Sequence, residues 1–221
     1  MNEENNSQGI ILVLLSMALF SFQDALIKFV FEKAALYEIY FGRTFIASVI
    51  LGTYLFIKKQ KIKFKTEYPF LTAIRVLLHF FAFSFFFISL TYMSLAMANA
   101  LFFSSPFFIS IFAKFFLNEQ IGIRRWSAIF LGFIGIYIVL NPDFSEFEYK
   151  NLLPVLCAFF YAISMTITKI TSDKDNLYTQ LFYFYTLAIG LCLIIFIFFG
   201  SGEFNKYNDP TMQFIFREWF S

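Results

Sequence analysis

The sequence predicts an all-α, polytopic transmembrane helix bundle, and three observations carry that reading. Hydrophobic residues fill 59% of the 221 positions, mean hydropathy is +0.70 and only 14% of residues are charged, against roughly 25% in an ordinary soluble domain. The apolar residues gather in runs about 20 positions long, the length at which a helix crosses the hydrocarbon core. Between the runs lie short linkers whose lysines and arginines fall mostly on alternate sides, the pattern that orients membrane helices.

Seven spans follow, at 9–30, 37–57, 71–90, 94–116, 124–141, 151–170 and 178–200. The opening Met1–Asn6 is acidic and lacks the positive start of a signal peptide, so the first run is a retained span preceded by a cytoplasmic tail, 1–8. The stretch Lys58, Lys59, Lys61, Lys63 and Lys65 is a solvated loop with topological meaning. With the N-terminus inside, these five join Arg75, Arg124, Arg125, Lys169 and Lys174, while the outside receives only Lys33, Lys150, Lys206 and Arg217. The imbalance places the N-terminus in the cytoplasm and, with an odd number of spans, the C-terminus outside. A net charge of +2 leaves no nucleic-acid partner, and the 37 phenylalanines read as lipid-facing and inter-helix filling. Cys157 and Cys192 sit in apolar runs and suggest neither disulfide nor metal.

A shift of the chain by 141 positions aligns Leu15 with Leu156, Lys28 with Lys169, Tyr37 with Tyr178 and Phe41 with Phe182. It superposes the boundary of spans one and two on that of spans six and seven. Five spans per copy invert the second copy, the layout of inverted-repeat transporters, whose sites lie at the repeat interface.

Ionisable groups at membrane depth cost on the order of 2.5–3.5 kcal/mol each, so they face a cavity or a partner. Span one carries Gln23, Asp24 and Lys28, with Asp24 and Lys28 one turn apart, able either to neutralise each other or to line a cavity. Arg43 cannot shed its proton and needs an acceptor: Asp24, Glu38, a carbonyl or an anionic ligand group. His79, the sole histidine, lies one turn past Arg75, as an interface residue or a proton relay near the cytoplasmic mouth. In span four, Asn99, Ser104, Ser105 and Pro106 predict a kinked helix with polar groups at mid-depth, for gating or for architecture alone. Gly132 and Gly135 promise a tight face on span five, as do Ala96, Ala98 and Ala100 on span four. Tyr161 and its neighbours Ser164, Thr166 and Thr168 could line the same cavity. No phosphate loop, zinc spacing or nucleophile elbow is present, so no enzyme and no cofactor is expected.

Four stretches give the chain a family likeness: Gln23-Asp24 through Lys28, Phe41-Gly42-Arg43, Phe116-Leu117-Asn118-Glu119, and Arg125-Trp126 with Gly132-Phe133-Ile134-Gly135 and Asn141-Pro142. With them the chain resembles the drug/metabolite transporter superfamily, its EamA-type ten-span carriers, and within these the bacterial S-adenosylmethionine uptake branch. The resemblance implies an inner-membrane carrier with an EamA-like inverted-repeat fold, a central cavity and alternating access. The first repeat is 9–141, and 150–221 holds an incomplete second repeat of two spans and a tail that resembles the approach to an eighth. About seven of ten expected spans are then present, and a homodimer or a missing C-terminal segment is expected to complete the bundle.

The substrate expected is a small polar or zwitterionic metabolite such as S-adenosylmethionine or an amino-acid-like compound. Gln23, Asp24, Lys28, Arg43, Asn99, Ser104, Ser105 and Tyr161 would contact it, Pro106 would serve the kink, and His79 and Glu119 would take proton or cytoplasmic-mouth roles. The repeats are chemically unequal, with Met165 where the first copy has Asp24 and Phe184 where it has Arg43, so charged recognition is assigned to the first half. The alternatives are a drug or cation exporter of the same superfamily and a non-transporting seven-helix scaffold or receptor-like protein.

Overall fold

The fold is described from a computed structural model, which covers residues 3–30, 33–59, 65–140, 149–203 and 209–219; the side chains of 3–10, 12, 13, 28, 136, 139, 140 and 210 are outside it. Among the described residues all regular structure is helical: α1 (Glu3–Val30), α2 (Leu36–Lys58), α3 (Pro69–Ser89), α4 (Leu95–Phe102), α5 (Ser105–Phe116), α6 (Ile123–Leu140), α7 (Leu153–Thr171), α8 (Leu177–Phe199) and α9 (Pro210–Phe216). Five stretches among the described residues are long and apolar enough to cross a membrane: α2, α3, the α4–α5 pair, α7 with the 3-10 turn Tyr149–Leu152, and α8. The expected first and fifth spans fall on α1, whose apolar stretch runs Leu14–Ile27, and on α6.

Helix ends follow local chemistry. The Glu38 carboxylate accepts from the Ala35 N–H (3.3 Å) at the start of α2, and Lys59 closes its other end in the left-handed region at φ 49°. Pro69 opens α3, where a missing N–H costs nothing. Ser94, Asn176 and Asp209 cap α4, α8 and α9 by accepting from backbone N–H groups two or three residues on.

The expected fourth span is two helices. It breaks at Phe103 and Ser104, and Pro106 stands in the first turn of α5. Proline leaves a carbonyl about one turn back without a donor. The hydroxyls nearby bond other carbonyls, Ser104 donating to that of Leu101 (2.7 Å) and Ser110 to that of Pro106 (2.8 Å).

The centre of the bundle is α3 packed along α7, with α8 and α2 on one flank and α5 on the other. Phe80, Ala82, Phe83, Phe86 and Phe87 of α3 are buried there with Cys157, Ala158 and Ala162 of α7. Other phenylalanines point outward, Phe29 at 84% and Phe56 at 86% exposure, as lipid-facing side chains should. Helices α2 and α8 run antiparallel, because Tyr54 near the end of α2 meets Tyr178 at the start of α8 (ring centroids 6.0 Å). By contrast, most described side chains of α1 are exposed. The tight glycine face expected on α6 is open, since a Cβ at Gly132 or Gly135 would meet nothing within 4 Å. Helix α6 rests on α4 and, through Trp126, on Phe107 of α5, so its glycines face away from the bundle. On α4 two of the three expected alanines pack, Ala98 and Ala100 being buried, whereas Ala96 is exposed.

Candidate functional site

Arg43 lies on α2 one turn after Tyr40, and its guanidinium stacks over the Phe83 ring of α3 (5.2 Å). Asp24 of α1 feels the Arg43 charge and Arg43 feels that of Asp24. No carboxylate reaches ion-pair distance of Arg43 among the described residues. Opposite charges thus sit in each other's field within the bundle without neutralising each other by contact.

Aromatic rings pack beside Arg43. The Tyr40 ring, fully buried, packs on Phe83 (4.6 Å) and edge-on to Phe80 (5.4 Å), while Tyr37 stacks on Phe80 (5.3 Å). His79, one turn before Phe83, lies edge-on to Phe184 of α8 (5.0 Å) and against Tyr161 of α7 (6.3 Å). Tyr161 in turn meets Phe102 of α4 (5.4 Å). Asn99, half-buried, is one turn before Phe102. Arg43, His79 and Tyr161 are therefore joined through one aromatic lining contributed by α2, α3, α4, α7 and α8.

The remaining sequence-predicted residues are more scattered. Gln23 lines a shallow open groove along α1 with Ser16, Leu19 and Phe20. The Ser104 hydroxyl is engaged with Leu101, and Ser105 is buried at the break before α5. The side chain of Lys28 lies outside the described residues. Glu119 is not among the aromatic walls but at the lysine-rich end of the bundle, near Arg125 (3.6 Å) and Lys169 (4.0 Å). It ties together the ends of α5, α6 and α7.

Sequence reasoning treated Arg75 as a loop charge, whereas it is buried at 4% exposure two turns into α3. It donates to the side-chain oxygen of Gln180 and to the Gln180 backbone carbonyl, both at 2.8 Å. Gln180 donates onward to the Asp175 carbonyl (3.0 Å). The Asp175 carboxylate accepts from the Thr66 hydroxyl and from the Glu67 N–H (3.1 Å), and the Tyr68 hydroxyl donates to Asp173 (3.1 Å). This latch fastens the segment before α3 to the α7–α8 turn, beneath the aromatic walls. The signal for it was the depth of Arg75 in an apolar run, which demands an acceptor.

The opposite end is closed by α9 and its flanks. Thr211 hydrogen-bonds Tyr92 and lies 3.2 Å from the Thr91 hydroxyl, and Arg217 donates to the Ala34 carbonyl (3.3 Å). Trp219 is buried against Phe196 (5.2 Å) and Phe41 (6.3 Å). Gly202, at φ +72°, permits the return of the chain, since a side chain there would press on Glu218.

Five stretches long and apolar enough to cross a membrane, among the described residues, define a multi-pass membrane protein. A family model, the EamA-like transporter family, matches residues 7–141. The chain belongs to that family. It is 34% identical over 175 residues, 79% of this chain and 59% of the relative, to an S-adenosylmethionine uptake transporter of Rickettsia felis. A riboflavin transporter of Vibrio cholerae is 36% identical over 96 residues, 43% of this chain and 32% of the relative. A pseudopaline exporter of Pseudomonas aeruginosa is 23% identical over 212 residues, 96% of this chain and 70% of the relative. The chain thus spans about three fifths of the length of the Rickettsia relative. No solved structure matches it.

Proposed function

We propose that the chain forms the substrate-binding part of a bacterial inner-membrane secondary transporter that moves a small zwitterionic metabolite by alternating access, with S-adenosylmethionine the leading candidate. The observation that carries this reading is the pair Asp24 and Arg43: half-buried, opposite in charge, in each other's field and making no ion pair with each other. A zwitterion supplies what each lacks, a cationic group for Asp24 and a carboxylate for Arg43. Phe83, Phe102, Tyr161 and Phe184 offer faces for an aromatic base, and Asn99 a polar side chain beside them. S-adenosylmethionine combines a carboxylate, cationic centres and a purine, and similarity to the Rickettsia transporters supports it.

The Arg75–Gln180–Asp175 latch is the gate at the lysine-rich end, which the distribution of basic residues makes cytoplasmic. The antiparallel pairing of α2 with α8 supports inverted repeats. The exposed faces of α1 support completion of the bundle by further spans or a second copy.

Uptake of radiolabelled S-adenosylmethionine into proteoliposomes tests the proposal. Saturable accumulation that Asp24→Asn reduces at least tenfold is the expected result. Accumulation indistinguishable from empty liposomes, or unaffected by Asp24→Asn, refutes it.

A further inference from the structure

We propose that the hydroxyls of Tyr40 and Tyr185 join Arg43 in a subsite that takes the carboxylate of the transported molecule. The proposal rests on the carrier reading for the identity of its occupant.

Arg43 presents donors to which no described residue offers an acceptor, and its guanidinium lies over the Phe83 ring (5.2 Å) with N–H groups available to a bidentate anion. The fully buried ring of Tyr40 is held between Phe80 and Phe83 one turn away, yet its hydroxyl has no hydrogen-bond partner. A buried hydroxyl left so is uncommon and calls for an explanation, because an unmade bond there destabilises the fold. Tyr185 lies on α8, which packs along α2, its hydroxyl has no hydrogen-bond partner among the described residues, and it is near enough to Arg43 and Tyr40 to act on their charge.

Arg43 and Tyr40 thus share the Phe83 ring, with Tyr185 on the helix packed beside them, and an arginine with two phenols is a donor set for an oxyanion. Asp24, whose charge acts on Arg43, makes no ion pair with it, which leaves its carboxylate for a cationic group. In the 141-residue shift the positions of Tyr40 and Arg43 correspond to Leu181 and Phe184. The subsite is therefore built once, in the first half, and fixes one orientation of the bound molecule.

His79 supplies an independent readout, because it is the sole histidine and its imidazole lies in the field of Arg43. The 221-residue chain, labelled with nitrogen-15 histidine and held in lipid nanodiscs, is titrated with acetate, with S-adenosylmethionine and with decarboxylated S-adenosylmethionine. Acetate and S-adenosylmethionine are expected to shift the His79 resonance, and the decarboxylated compound to bind at least tenfold more weakly. Tyr40→Phe and Tyr185→Phe keep their rings and should each weaken S-adenosylmethionine roughly tenfold, as loss of one bond to a charged acceptor does. Arg43→Gln should abolish the acetate response, and Arg43→Lys should retain part of it.

A His79 resonance indifferent to acetate and to S-adenosylmethionine, or equal affinities with and without the carboxylate, overturns the subsite. Uptake with a silent His79 defeats the subsite and spares the carrier. A responsive His79 without uptake does the reverse.

Discussion

Replacing Gln180 by leucine cuts the latch at its middle while keeping the side-chain volume. The variant loses the 2.8 Å acceptor for Arg75 and the 3.0 Å donor to the Asp175 carbonyl, and it leaves Arg75 only the Gln180 backbone carbonyl and a 3.5 Å approach to Thr168. A charge-assisted bond contributes about 1.5–3 kcal/mol and a neutral one about 1 kcal/mol in water. Hydrogen bonds within membrane bundles contribute less, so about 2 kcal/mol for the pair is a conservative sum. That is roughly a thirtyfold rise in the ratio of open to closed latch. Hydrogen–deuterium exchange followed by mass spectrometry reads this ratio, because amides that exchange through latch opening speed up in proportion to it. Amides of the first turns of α8, 177–184, should exchange about thirtyfold faster in Gln180→Leu, while those of α2 and α9 keep their rates. Unchanged exchange at 177–184, or equal acceleration at both ends of the bundle, refutes the assignment of this network as a gate.

Other outcomes follow from the same geometry. Pro106→Ala should let α4 and α5 fuse, lowering uptake severalfold while raising thermal stability, both measurable on proteoliposomes and by a melting curve. Glu119→Gln removes ion pairs that are more than a third exposed, and it should change stability by less than about 1 kcal/mol and leave substrate affinity unaltered. Trp219→Ala, by contrast, empties a packed aromatic site at the α9 end and should destabilise the protein by about 3 kcal/mol, seen as a lower melting temperature in detergent.

Much of the fold was legible because the bilayer as solvent writes itself into the sequence: apolar runs of one length, proline at a helix start and lysines at one end. Asp24 and Arg43 could be singled out as candidates for the same reason, since charge is conspicuous in hydrocarbon. The latch was not. Thr66, Arg75, Asp175 and Gln180 are brought together from separate segments, and Arg75 had an innocent reading among the basic residues of the inner side. Nor could the aromatic cluster be singled out, because 37 phenylalanines give no contrast between a ring that points outward, such as Phe56, and one that packs inside the bundle, such as Phe83. Glycines misled on α6 because small residues mark a tight face only where another helix arrives to use it.

All of this depends on Asp24 and Arg43 lining a space that water and substrate enter. In a background with Cys157 and Cys192 changed to serine, Asp24→Cys and Arg43→Cys can be exposed to a water-soluble, membrane-impermeant methanethiosulfonate. The expected result is modification of both positions, slowed at least tenfold by saturating S-adenosylmethionine. Thiols that stay unreactive toward this reagent yet are quenched by a lipid-phase probe would contradict it.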